Sequence, residues 1–417
     1  MTLATAPGLA VAQTAASAPV LTLDRALQLA QQRSAQLVAE DAAAASARSM
    51  AIAADQLPDP TLTVGLNNLP VTRRDQFSVG RDFMTMRSIG ITQEFTRSGK
   101  REARADRFER EARTADASRE LALTNLQRDT ALAWLDRYYD ERVGDLLAAQ
   151  VKEAQLQIDA AESAFRGARG AQADVFAARS AKAQIEDRLA QSDRDIGTAR
   201  THLARWVGEP ANDPLGPLPS LENVSLRPED LEGDLPHHPE IAVMFEQEAM
   251  ARAEADEARA NKRPDVSVEL MYSQRGSAYS NMVSINFSMP LQWDQGHRQD
   301  QELAAKLAQV RKIRAEREEE TRMHAAEDLA MLQEWHSNRE RLTRYDASLL
   351  PLAADRINAA LAAYSGGTGP LSAVLEARRG QIDTQLDRAR LEQQTARLWA
   401  QLNFLVPEGH SHEGSPR

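Results

Sequence analysis

The side chains best suited to chemistry in this 417-residue chain are histidines and methionines, because it holds no cysteine. That absence excludes thiol catalysis, Cys-based zinc sites, disulfides and a lipidated N-terminal Cys. His410 and His412 form a His-x-His near the C-terminus, and His237 and His238 adjoin one another in mid-chain. Imidazoles suit borderline cations, but two of them without a carboxylate or thiolate framework make only a weak, transient metal site. Met84, Met86, Met271, Met282 and Met289 fall in two short regions. Thioethers are soft ligands for Cu(I), and they serve equally as lipid-facing or packing groups. No Ser/His/Asp arrangement, P-loop or dinucleotide fingerprint is present, so the reading is of a non-enzyme with no cofactor.

The elements that must position any site are long helices. Aromatic residues are only 5% and charged residues 27% of the chain, a mixture of helical struts rather than a thick globular core. A net charge of −11 argues against a nucleic-acid partner, which needs clustered Lys and Arg. No apolar run reaches the length of a transmembrane helix. Residues 1–20 are small, uncharged and mildly apolar, with A-x-A-like sequence around Ala15–Ala18. They read either as a signal-peptide remnant that lacks a positive n-region or as a disordered tail.

The chain also says the same thing twice. Phe165, Gly167, Gly170, Val175, Ala178, Arg179, Leu203, Val207 and Glu209 are answered, at a constant offset of 199, by Tyr364, Gly366, Gly369, Val374, Ala377, Arg378, Leu402, Val406 and Glu408. So long a period marks a duplicated half-molecule, not a solenoid unit. Repeat 1 spans 21–207 and repeat 2 spans 239–405, with a linker at 208–238 and a tail at 406–417. Prolines punctuate helices expected at 22–57, 99–165, 171–207, 239–262, 297–363 and 371–405. Thr22 is the expected N-cap of the first, with Asp24 in its first turn. At 1.5 Å per residue the runs 99–165 and 297–363 would each be about 100 Å long, and Pro351 should kink the second. Trp134, Trp206, Trp335 and Trp399 read as helix packing.

Between helices the period falls to two. Leu62, Val64 and Leu66 alternate with Thr61, Thr63 and Gly65. Ile89, Ile91 and Phe95 share one parity, as do Val266, Val268, Leu270 and Tyr272, and again Val283, Ile285, Phe287, Met289 and Leu291. Each repeat therefore carries one hairpin, 61–95 and 265–291, of strands about ten residues long, enough to cross a bilayer at a tilt. The alternative is a small soluble sheet lying on helices. In a membrane, open sheet edges are not viable. Closure takes at least about eight strands, so the protomer must oligomerise, two copies giving eight and three giving twelve. Trp293 and Phe95 would then form an aromatic girdle, with Arg73, Arg74 and Arg81 in a surface loop.

These segments together resemble the TolC family of bacterial outer-membrane channels from about residue 21 to 408. The carriers are TLDRALQLA at 22–30, LPDPTLTVGLNNLP at 57–70, ITQEFTRSGKR at 91–101, RPDVSVEL at 263–270, VSINFSMPLQWDQGHR at 283–298, and the segments beginning FRGARGAQADVFAAR and YSGGTGPLSAVLEARR. NNLP with the Gly-Lys-Arg turn looks most like the heavy-metal branch, the channels of cobalt–zinc–cadmium and copper/silver efflux. The resemblance implies a mainly α homotrimer. Its twelve-stranded transmembrane β-barrel sits in outer-membrane lipid of a Gram-negative bacterium and continues as a periplasmic α-barrel. It implies an exit duct for a tripartite pump, with a periplasmic membrane-fusion adaptor and an inner-membrane RND (resistance–nodulation–division) transporter as partners.

By the same resemblance, the turns at 166–171 and 365–370, with Gly167, Gly170, Gly366, Gly367 and Gly369, form the periplasmic tip where the adaptor docks. Asp174 and Glu376 match gate carboxylates, and Tyr364 matches a tyrosine that holds the closed state. Ala373 and Gly369 depart from the pattern, where the family has Asp and a closing Arg. Six carboxylates from three copies would attract cations. Equally, each is a carboxylate at a helix N-terminus, stabilising the dipole. A drug or protein exporter of the same fold, and a periplasmic coiled-coil adaptor or scaffold, are the rival readings.

Overall fold

The computed structural model describes residues 20–168, 170–224 and 238–405. His237, His410, His412, Val406, Glu408, the N-terminal segment to residue 19, part of the linker and the tail lie outside them. The chain divides into two compact units, and each draws on segments from both sequence halves.

Among the described residues, the first unit takes 20–34, 125–224 and 328–405. Helix α1 (Leu23–Arg33) starts as Thr22 Oγ1 accepts the Arg25 N–H at 3.2 Å. The single helix expected over 22–57 is in fact two. Ser34 takes extended backbone with ψ of 106°, ends α1, and α2 begins at Ala35. A serine hydroxyl competes with the helical ladder for backbone groups, which makes it a natural break.

Helix α3 (Ser98–Arg166) supplies its C-terminal half to this unit, followed by α4 (Gln172–Val207) and a 3₁₀ turn at Glu209–Asn212. Helix α6 (Gln299–Arg344) passes through a π turn at Tyr345–Leu349 into α7 (Leu350–Ser365), and α8 (Leu371–Asn403) returns. The kink expected at Pro351 takes the form of that π turn. Proline offers no N–H to the carbonyl four residues back, and the widened turn directly before it absorbs the mismatch.

The main core of this unit gathers Leu21, Trp134, Leu135, Tyr139, Leu203, Val207, Trp335, Trp399 and Leu402. A buried indole N–H usually finds a partner, and two of these do. Trp134 Nε1 donates to the Leu21 carbonyl and Trp399 Nε1 to the Asn223 carbonyl, both at 2.9 Å. Arg137, only 2% exposed, donates to the Ala211 and Asp213 carbonyls at 2.6 and 2.9 Å. Leu21 bridges Leu215 in parallel, and Arg339 reaches the Glu222 carbonyl at 2.6 Å. Residues 209–224, unresolved as a linker in sequence, are thus strapped onto helices by side chains that satisfy their carbonyls.

Among the described residues, the second unit holds α2 (Ala35–Ala54), the N-terminal half of α3, α5 (Pro239–Ala260), the N-terminal part of α6, and four strands. The strands β1 (Thr61–Asn67), β2 (Met86–Phe95), β3 (Val266–Gln274) and β4 (Met282–Ser288) form one antiparallel sheet in the order β1-β2-β3-β4. Central pairing of β2 with β3 joins the hairpins. The outer strands are seven residues long, shorter than expected. β1 stops where Asn68 turns left-handed at φ 55°. β4 stops two residues before Pro290, which cannot donate to a ladder, leaving Met289, Leu291 and Trp293 beyond the sheet.

The turn from β2 into α3 is pinned to the start of β3. Lys100 Nζ meets Asp265 at 2.6 Å, Arg97 N–H donates to the same carboxylate at 3.2 Å, and Arg97 Nε donates to the Pro264 carbonyl at 3.1 Å. Burial works to raise the Asp265 pKa, but the Lys100 and Arg97 hydrogen bonds prevail and hold it below the usual range. The Lys of the Gly-Lys-Arg motif is therefore half of a largely buried ion pair.

Candidate functional site: a two-faced sheet and a pair of helical turns

Register decides what each face of the sheet presents. Leu62, Ile91, Leu270 and Ile285 line up across the four strands, as do Val64, Ile89, Tyr272 and Val283, with Val268 beside Phe287. All but Val268 are large apolar side chains lying open, Val64 at 73% and Phe287 at 74% exposure. So broad an apolar surface marks an interaction or membrane surface.

The opposite face is polar. Thr61, Thr92, Glu269 and Asn286 share one row, and Gly65, Ser88 and Ser273 another. Its groups bond one another: Asn286 Nδ2 to Glu269 at 2.9 Å and Asn67 Nδ2 to Ser88 Oγ at 2.8 Å. Met86, Met271 and Met282 lie on this polar face, not in the apolar rows where lipid-facing methionines would sit. Among the described residues β1 and β4 each pair on one side only. The hairpin loops are tied together as the Arg275 guanidinium donates to the Phe83 carbonyl at 2.9 and 2.6 Å. Trp293 is 88% exposed but lies past the end of β4, not at a strand end.

The two helical turns are built alike. Gly167 N–H donates to Ser163 and Gly366 N–H to Ala362, at 3.0 and 2.9 Å. Ala168 then donates to Phe165 and Gly367 to Tyr364, both at 3.0 Å. The left-handed residue is Gly367 in one turn, at φ 72°, and Ala168 in the other, at φ 54°. Gly366 is not left-handed, at φ −77°, so the backbone does not need glycine there. Gly170 and Gly369 lie tight against the end of the preceding helix. A Cβ would stand 3.2 Å from Ala164 Cβ in the first and 3.0 Å from Ala363 Cβ in the second. The offset that aligns the glycines also aligns Ala168 with Gly367, a signal present in sequence but unused.

Below the turns, Ile158, Ala161, Val175, Ala178, Leu371 and Val374 form a buried cluster, and Tyr364 packs against it half-buried. Asp174 sits in the first turn of α4, where its carboxylate accepts the Ala171 N–H at 3.1 Å. Ala171 has no side-chain acceptor to return the bond, so half of a capping box is present. Glu376 pairs with Arg356 on α7 at 2.7 Å. Within one chain, then, one candidate carboxylate caps a helix and the other is paired.

One group had no sequence signal. Asp140 on α3 is pushed up to about 6, by burial first and then by the neighbouring Asp136 and Asp195, with Gln393 bonding against the shift. Asp136 itself is engaged by Gln393 at 3.2 Å and by Arg397. Asp136 and Asp140 share a helix face, but only folding brings Asp195 from α4 to them. No helix among the described residues is long and apolar enough to cross a membrane.

No family model matches this chain, and no curated protein matches it. Solved structures do. The outer membrane protein VceC of Vibrio cholerae is similar with a TM-score of 0.76 at 19% identity, over 92% of this chain and 95% of that one. The CmeC outer membrane channel of Campylobacter jejuni gives 0.77 at 13% identity, over 97% and 93%. CusC, solved in a study of folding and transmembrane channel formation, gives 0.74 at 15% identity, over 92% of each chain. At such identities the likeness establishes the fold alone: long helices with a small antiparallel sheet, the fold of these outer membrane proteins.

Proposed function

We propose that this chain is one protomer of a passive outer-membrane exit channel. The observation that carries the reading is the sheet: apolar rows on one face, a hydrogen-bonded polar face behind, and an outer strand on each side pairing once. A sheet with an oily outside, a wet inside and open edges is a fraction of a barrel wall. Four strands per copy make twelve in a homotrimer, the assembly that the TolC resemblance implies. A soluble adaptor or scaffold has no use for such a sheet.

In this reading repeats 21–207 and 239–405 each contribute a hairpin to the wall and a turn to the periplasmic tip. The alike construction of the turns at Ala168 and Gly367 supports the duplication. The tip docks a membrane-fusion adaptor, an RND transporter supplies the driving force, and Asp174, Glu376 and Tyr364 line or hold the aperture. The cargo we infer is heavy-metal cations, on the motifs NNLP and Gly-Lys-Arg.

The test is purification in detergent with mass measurement and planar-bilayer recording. Three copies per particle and discrete conductance steps are expected. A monodisperse single copy in plain buffer without conductance would overturn the channel. For cargo, a deletion strain is scanned against zinc, cobalt, cadmium, copper and silver. Unchanged tolerance to all of them would remove the metal assignment and leave drug or protein export.

A further inference from the structure

A second kind of chemistry lies in the unit that carries the sheet. Helix α5 starts at His238, its N-cap, whose carbonyl accepts the Ala242 N–H at 2.9 Å. Glu240 follows in the first turn. Glu320 and His324 sit one turn apart on α6, on the same face. Packing brings these places together. The His238 and His324 rings stand 4.6 Å apart between centroids, tilted by 33°. Glu240 Oε2 lies 3.3 Å from His324 Nε2, and Glu320 Oε1 lies 3.5 Å from the same nitrogen. One ligand atom each from His238, Glu240 and His324 falls within 4.8 Å of the others. The His324 side chain is only 13% exposed, so packing, not solvent, sets where its imidazole stands.

We propose that His238, Glu240 and His324 bind a divalent transition-metal cation of the zinc type, with Glu320 beside the fourth position. Two imidazoles and a carboxylate are a donor set that zinc uses with one position left open. Bonds of about 2.1 Å in a tetrahedron place ligand atoms about 3.4 Å apart. The Glu240–His324 pair is already at that spacing, and His238 offers an atom within 4.8 Å of both. Magnesium and calcium prefer an all-oxygen shell, so two ring nitrogens select against them. The positive end of α5 opposes a cation at this place, and the two carboxylates, Glu240 and Glu320, offset it.

Bound metal would clamp the start of α5 to α6, two segments that the sequence holds far apart. His238 is one of the histidines singled out in sequence, and the fold brings it to His324. The site is independent of the channel reading, since a protein that conducts nothing could still bind the ion.

The experiment uses full-length, untagged protein in detergent, with His237, His410 and His412 changed to alanine to silence stray imidazoles. Co2+ is titrated and its visible d–d absorption followed, then Zn2+ is added to displace it. Saturation at one Co2+ per chain, with the intense bands of a four-coordinate site lost on adding Zn2+, is the expected result. His324→Ala and Glu240→Gln should each weaken binding by at least about tenfold. Glu254→Gln, on the same helix but paired with Lys306, should leave it unchanged. If His324→Ala fails to fold, His238→Ala at the helix start serves as the second variant. Parent protein with no saturable Co2+ absorption, or ligand variants that bind as the parent does, would overturn the site.

Discussion

Glu376 accepts a hydrogen bond from Arg356 Nη2 at 2.7 Å, joining α8 to α7 just below the second helical turn. Both side chains are mostly exposed, Glu376 at 72%. An exposed pair of this kind contributes about 0–1 kcal/mol to stability. Its consequence is for charge, because the arginine cancels much of the field of the carboxylate beside it.

The first prediction follows from that cancellation. Arg356→Ala should raise cation preference by unmasking Glu376, and Glu376→Gln should lower it, with the thermal midpoint of both variants close to the parent. Reversal potentials under a salt gradient across a planar bilayer measure the effect. Equal cation/anion permeability ratios in parent and both variants would remove Glu376 from the conduction path. Asp174→Asn should act more weakly on selectivity but loosen the start of α4 by about 0.3–1 kcal/mol, seen as faster amide exchange at Ala171.

The two turns give predictions of opposite sign. Gly367 at φ 72° tolerates no side chain cheaply, so Gly367→Ala should cost about 1 kcal/mol locally, while Ala168→Gly at φ 54° should return a comparable amount. Gly369→Ala adds a Cβ at 3.0 Å from Ala363, an overpacking of about 1–3 kcal/mol. Pairing it with Ala363→Gly should recover most of the loss. Hydrogen exchange across 160–175 for Ala168→Gly and across 360–375 for the others resolves these, and no change in Gly369→Ala would show that the turn relaxes freely.

Much of this architecture was legible because it rests on local rules. Period-two alternation at Leu62–Leu66 and Val283–Phe287 needs only one dry face and one wet face, and the pairing register bears the parity out. Thr22 announced its helix by type, and Pro351 announced its interruption. Other features depend on partners that sequence distance hides. Ser34 divides a helix that propensity alone would run through. Asp140 acquires its neighbour Asp195 only when α3 meets α4, and His238 meets His324 only when α5 packs on α6. The turn glycines were visible, but their reasons were not. The geometry separates Gly367, suited to its backbone angle, from Gly369, which lies close against Ala363.

Parity in the sheet makes a sharper test of the membrane reading than any deletion. Ile285 lies in an apolar row and Ser284, its neighbour, on the polar face. Ile285→Arg should cost about 2–4 kcal/mol per protomer if that residue lies near mid-bilayer, and membrane-inserted oligomer should fall sharply. Ser284→Arg should assemble normally and shift selectivity toward anions. Detergent-extracted oligomer yield and conductance measure both. Equal tolerance of the two arginines would mean that neither face meets lipid.

Asp140 supplies the pH dependence. Its carboxyl titrates at about 6 in the folded chain, raised from 3.8 by burial and then by Asp136 and Asp195. A raised carboxylate pKa means that the folded state holds a proton the unfolded chain has released. Stability therefore falls as pH rises from about 4 to about 6, and the loss persists above. Since the group is partly solvated, the effect is on the order of 1 kcal/mol after screening. Asp140→Asn keeps the shape without the charge. It should match the parent at pH 4 and exceed it at pH 7, flattening the profile between. Denaturant unfolding of detergent-solubilised protein at both values measures this, and a variant as pH-dependent as the parent over that interval would place the titrating group elsewhere.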